Sequence, residues 1–269
     1  MKQLMTTLLL AAALAACSND KAPAAATANN AADPAPTSRD TSIYAEALAS
    51  PTRLEGDAAR DAGRKPDEVL AFLGIGPGDV VLDLFSGGGY YAEIIAHVVG
   101  PNGRVVAQSN EPYLKFVGDE FNKRHAEGRL PNVDILMAEN NELELPAERF
   151  DAVTMILAYH DVYNHDPENG WHSIDVEQFL AEVYKSLKPG GIAGIIDHVA
   201  APGAPEETGG TLHRIDPALV IRDFEAAGFA LDGESDILRN SSDDYEKIVF
   251  APELRGKTDR FLMRFKKPE

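Results

Sequence analysis

The stretch Gly76-Pro77-Gly78-Asp79-Val80-Val81-Leu82-Asp83-Leu84-Phe85-Ser86-Gly87-Gly88-Gly89 decides the fold. Val80 to Leu84 is a short apolar run bounded by turn residues, the pattern of a strand buried on both faces. Ser86 to Gly89 carries almost no side-chain bulk and reads as a tight turn. Tyr90 to Val99 then reads as a helix. Strand, bare turn and helix make the first unit of an open α/β sheet, in which ligands bind beyond the carboxyl ends of the strands. A turn without side chains lets a ligand approach the backbone, and the helix N-terminus offers N–H groups to an anion.

Outward from this unit, apolar runs alternate with helical patterns. Strands are expected at 104–107, 133–137, 152–157 and 192–196, with two more at 229–238 and 257–267. Helices are expected at 50–64, from Pro66 to Leu73, and at 112–127, 176–187 and 217–227. The order predicts an α/β fold built on a seven-stranded, mostly parallel sheet with crossover helices.

The termini and composition bound the function. Residues 1–16 hold one early cation, Lys2, and an apolar run from Leu8, too short to span a bilayer and typical of an export signal. Leu14-Ala15-Ala16-Cys17 resembles the bacterial lipobox, which implies lipidation of Cys17, the only cysteine. Residues 17–40 are rich in Ala, Pro, Asn and Thr and are expected to be a disordered tether. The globular domain is then 41–269. The expected setting is the bacterial envelope, facing the periplasm, with the lipid anchor as the one membrane contact. A single cysteine excludes an internal disulfide framework. A net charge of −18 argues against nucleic acid as a partner.

The segment Gly76–Gly89 resembles the first motif of class I S-adenosylmethionine-dependent methyltransferases, and Leu187-Lys188-Pro189-Gly190-Gly191 resembles the turn before their fifth strand. Ala158-Tyr159-His160-Asp161, Leu212-His213-Arg214-Ile215-Asp216 and the stretch from Arg255 to Phe261 are similar to a group of exported bacterial proteins described as predicted methyltransferases. The resemblance implies a Rossmann-like, doubly wound fold with an antiparallel last strand, and S-adenosylmethionine as cofactor, bound near Asp83, Phe85, Ser86, Gly87, Gly89, Asn110, Glu139, Asn140 and Tyr159, with Glu139 and Asn140 toward the adenine. The chain departs from the pattern twice. Phe85 stands where the family keeps a glycine, and Ser109 aligns with the acidic residue that holds the ribose hydroxyls.

The fourth strand ends in His160-Asp161 and the fifth in Asp197-His198, so these four side chains are expected to converge. A histidine held by a carboxylate suits a general base, and His160, Asp161 and His198 are the candidate catalytic residues. Histidine with carboxylate oxygens also suits a metal, although no fixed ligand spacing marks one. Arg60, Asp61 and Arg64 read as a lid over the cofactor or as a solvated helix face. Trp171 with Tyr163 reads as lining an aromatic substrate site or as plugging the loop between strand four and its helix. The expected function is transfer of a methyl group to a small molecule. Because S-adenosylmethionine is made in the cytoplasm, a non-catalytic extracytoplasmic ligand-binding protein and a metal-assisted envelope enzyme are the alternatives.

Overall fold

The computed structural model describes residues 41–126 and 128–269. The expected export signal and tether, residues 1–40, lie outside the described residues, and no described helix is long and apolar enough to cross a membrane.

Seven strands form one sheet in the order β3-β2-β1-β4-β5-β7-β6. They are β1 (Val80–Leu84), β2 (Arg104–Ser109), β3 (Val133–Met137), β4 (Phe150–Ile156), β5 (Leu187–His198), β6 (Ala230–Ser235) and β7 (Arg260–Lys266). Strands β1 to β5 pair in parallel, and β7 runs antiparallel between β5 and β6. This is the mostly parallel α/β sheet that the alternating pattern implies.

Strand residues alternate between two cores, as the two-residue period demands. Leu82, Leu84, Val153, Met155 and Ile195 join one cluster, and Val81, Ala152, Ile196 and Leu262 join the other. The second face is covered by α1 (Ser42–Leu48), α3 (Pro66–Leu73) and α4 (Tyr90–Val99), and the first by α7 (Val176–Ser186) and α9 (Pro217–Ala226).

The helical segments differ from the sequence reading in three places. The span 50–64 is turns up to Asp57, followed by α2 (Ala58–Arg64). The span 112–127 breaks into α5 (Glu111–Val117) and α6 (Asp119–Arg124), because Gly118 sits at φ 59° and turns the chain between them. A short α8 (Thr208–Leu212) forms where two adjacent glycines argue against a helix.

The strand order reverses between β1 and β4, so a crevice opens at their carboxyl ends. Both strands leave through a left-handed residue that is not glycine: Phe85 at φ 52° after β1 and Leu157 at φ 60° after β4. Each such conformation costs about 1–2 kcal/mol and persists only where surrounding contacts enforce it.

Candidate functional site

A cleft of about 210 Å³ lies at these strand ends. Its polar wall is Asn110, Glu139 and Asn140, its apolar wall is Phe85, Trp171 and Ile174, and Asp161 forms its edge toward β4. Asn110 caps α5 by accepting from Tyr113 N at 3.2 Å, and its amide donates to Glu139 Oε2 at 3.2 Å. The Phe85 ring packs between Tyr113 and Phe179, each with centroids 5.6 Å away, and Tyr113 meets Trp171 edge-on at 5.0 Å.

Gln108 ties three strand ends together. Its Oε1 accepts from Phe85 N at 2.9 Å, and its Nε2 donates to Ala138 O at 2.8 Å and Asn140 Oδ1 at 3.2 Å. The bond to Phe85 N helps hold that residue in its left-handed conformation. Asp83 is buried and accepts from Thr154 Oγ1 at 2.7 Å. Burial pushes its carboxyl up to about 6, against the opposing hydrogen bond from Thr154.

Beyond Asp161 lies a histidine cluster. His160 Nδ1 stands 2.8 Å from Asp197 Oδ1, and the same carboxylate accepts from the backbone N–H groups of His160 and His198, each at 2.7 Å. His160 Nε2 faces His213 Nδ1 at 3.2 Å and Asp161 Oδ1 at 3.4 Å. The Tyr113 hydroxyl donates to Asp161 Oδ2. His213 arrives from the end of α8 with φ 54°.

The electrostatics revise the expected roles. Burial works to lower His160, but Asp161 and Asp197 outweigh it and raise the imidazole to about 9. The two carboxylates therefore favour a proton on His160, which argues against its reading as a free base. Burial lowers His198 to about 3 and also lowers His213. His198 Nδ1 pairs with Thr258 Oγ1 at 2.6 Å, so His198 turns away from the other two imidazoles. Tyr159 is also displaced from its expected cofactor role. It is buried, its hydroxyl donates to Asp223 Oδ2 at 2.9 Å on α9, and it does not line the cleft. The 3₁₀ turn at Tyr159–Tyr163 rotates Tyr159 into the core while Asp161 faces the cleft. Asp197 and His213 complete the cluster. The sequence places His213 in a loop above this crevice, and its close approach depends on α8.

The glycine turn is covered. Arg124 on α6 is fully buried: it donates to Gly88 O, pairs with Glu93, and reaches Asp57 at 2.7 Å and Glu120 at 2.9 Å. Arg60 joins Asp57 at 2.6 Å and Glu120 at 2.7 Å. Arg60 and Arg64 lie over the Tyr90 ring at 4.6 and 4.7 Å, so the charged α2 packs on the first residue after the turn.

Residues 82–195 match the family model described as a methyltransferase domain. The chain is 37% identical over 123 residues to the ubiquinone/menaquinone biosynthesis C-methyltransferase UbiE of Hydrogenovibrio crunogenus, covering 45% of this chain and 43% of that protein. It is 30% identical over 146 residues to the sterol 24-C-methyltransferase of Yarrowia lipolytica, covering 54% and 34%. The chain thus spans less than half the length of these curated relatives. Among solved structures, a SAM-dependent methyltransferase from Aquifex aeolicus superposes with TM-score 0.55 at 23% identity, over 86% of this chain and all of that one. The [4+2]-cyclase SpnF superposes with TM-score 0.54 at 18% identity, over 77% and 81%. Over residues 82–195 the chain is thus similar to class I S-adenosylmethionine-dependent methyltransferases, and the cofactor this match implies is S-adenosylmethionine.

Two observations test that cofactor against the residues present. At the nucleoside end, Asn110, Glu139 and Asn140 surround the cleft. Ser109 Oγ, at the position aligned with the ribose-binding carboxylate, is buried without a hydrogen-bond partner among the described residues. These groups fit a nucleoside. Over the turn, a Cβ built on Gly88 would stand 2.7 Å from Glu120 Cδ, and one on Gly89 would stand 2.7 Å from Arg124 Cδ. The cleft is also smaller than the roughly 300–1,000 Å³ of ordinary ligand sites. Glu120 and Arg124 therefore cover the glycine turn, and the amino-acid end of the cofactor would meet that cover.

Proposed function

We propose that this protein is an S-adenosylmethionine-dependent methyltransferase that acts on a small molecule, exported and anchored to the bacterial envelope by a lipid on Cys17. The observation that carries the reading is the cleft itself. It joins a nucleoside-type polar wall to a carboxylate backed by histidines, at the switch point of a methyltransferase-type sheet. The cofactor, when bound, supplies an electrophilic methyl group. The chain supplies position and proton handling. Asn110 and Glu139 offer a donor and an acceptor to hydroxyls. Phe85, Trp171 and Ile174 exclude water. Asp161 presents a carboxylate to the acceptor's proton, with Tyr113 holding one oxygen and protonated His160 beside the other.

Two measurements test this. Label from methyl-labelled S-adenosylmethionine should move into a small-molecule extract with the full chain, and far less with Asp161→Asn. Transfer at equal rates in both would remove Asp161 from the account, and no transfer by the parent would remove the activity. Mass spectrometry of the mature N-terminus should find lipid on Cys17, and Cys17→Ala should release the protein from membranes. An unmodified Cys17 would end the anchor.

A second reading has its own observation. Phe85, Glu120 and Arg124 take the space that the methionine end needs, which favours a different small ligand on the same fold. Under that reading, the chain binds neither S-adenosylmethionine nor its demethylated product.

A further inference from the structure

We propose that His160, Asp161 and His213 form a binding site for one divalent transition-metal ion of the zinc class, beside the cleft. The three donor atoms make a nearly regular triangle. His160 Nε2 to His213 Nδ1 is 3.2 Å, His160 Nε2 to Asp161 Oδ1 is 3.4 Å, and His213 Nδ1 to Asp161 Oδ1 is 3.9 Å. A tetrahedral ion with bonds of about 2.0–2.1 Å has ligand separations of about 3.3 Å. Two edges already match, and closing the third needs only a small rotation of the half-buried His213 ring.

The surroundings support ligation independently of the triangle. A metal-bound imidazole commonly donates its other N–H to a carboxylate, which fixes the tautomer and the ring plane. Asp197 does this for His160: it lies 2.8 Å from Nδ1 and is itself held by two backbone N–H groups. Tyr113 binds the second oxygen of Asp161 and leaves the first toward the imidazoles. His213 is brought in at the expense of backbone strain, at φ 54°. Its helix packs so closely that a Cβ on Gly209 would run into the His160 carbonyl oxygen. Two imidazoles and one carboxylate select zinc, iron(II) or manganese over calcium or magnesium, and three protein ligands leave a position for water or a substrate oxygen. Asp161 is the member of the trio that lines the cleft, so the open position lies within reach of a molecule bound there.

The test reads metal alone, so it fails or succeeds separately from methyl transfer. The full chain is stripped with a chelator and titrated calorimetrically with Zn²⁺. Co²⁺ is then added, and visible absorption reports its coordination. The expected result is 1:1 binding, a raised melting temperature and a tetrahedral Co²⁺ spectrum. His213→Ala should weaken Zn²⁺ about 100-fold or more, and Asp161→Asn should act in the same direction. His172→Ala, at a cleft histidine outside the trio, should leave affinity unchanged. His213 is partly exposed, so its removal should leave the fold intact, and circular dichroism checks this. No Zn²⁺ binding by the parent, or equal affinity in parent and His213→Ala, would overturn the site. The 3.2 Å contact would then be a proton shared between two histidines.

Discussion

Asp197 Oδ1 lies 2.8 Å from His160 Nδ1, and its other oxygen accepts the His160 backbone N–H at 2.7 Å, so one buried carboxylate fixes both the ring and the main chain of the same residue. Burial would raise Asp197, but His160 outweighs it and holds the carboxyl below its ordinary range. Asp197→Asn keeps the shape but loses the charge opposite a buried imidazolium. Urea denaturation should show a loss of about 2–4 kcal/mol. A loss below about 0.5 kcal/mol would mean that His160 is neutral in the folded protein.

Glu120 is the removable part of the cover over the glycine turn. Its side chain is one-third exposed, whereas Arg124 beneath it is fully buried and keeps Asp57 and Glu93 as partners. Glu120→Ala clears the space above Gly88. Affinity for S-adenosylmethionine should rise several-fold in equilibrium dialysis with little change in melting temperature. Unchanged or weaker binding would place the cofactor away from the turn.

Gln108 must be an amide. Its Nε2 faces two acceptors, Ala138 O and Asn140 Oδ1, so Gln108→Glu would set a buried carboxylate against a carbonyl. The expected cost is about 1–3 kcal/mol near neutral pH, measured by denaturant unfolding. The cost should shrink in acid, where the new carboxyl is protonated and can donate. A cost that does not depend on pH would contradict this account.

Asp83 gives a pH dependence of known sign. Its folded value of about 6 lies above the ordinary 3.8. The stability it contributes is full below about 3.8 and is lost as pH rises through about 6. Asp83→Asn should therefore gain on the parent as pH rises from 4 to 7, by at most about 3 kcal/mol. A constant difference between the two proteins across that range would show that Asp83 titrates normally.

The strands and the first site elements were legible because they are local. Val80–Leu84 and Tyr90–Val99 fall where their patterns put them. His160, Asp161 and Asp197 converge because parallel strands in one sheet must end on the same side. Other features rest on long-range contacts with no local signature. The break at Gly118 turns α6 so that Arg124 and Glu120 reach the glycine turn, and only the folded chain shows that the turn is covered. His213 depends on α8, whose Thr-Gly-Gly-Thr-Leu sequence has poor helix propensity and is held by packing against the 3₁₀ turn that begins at Tyr159. Tyr159 and His198 were misread because a residue's position at a strand end does not tell which way its side chain turns. Tyr159 goes to Asp223 and His198 to Thr258.

The claim that the strand-end cleft holds a nucleoside cofactor is tested most directly by calorimetric titration of the full chain with S-adenosylmethionine, with Glu139→Ala measured in parallel. The account predicts saturable 1:1 binding by the parent, weakened about tenfold in Glu139→Ala, which corresponds to about 1.4 kcal/mol for one lost polar contact. Absence of binding at millimolar concentration, or equal affinity in both proteins, would contradict it.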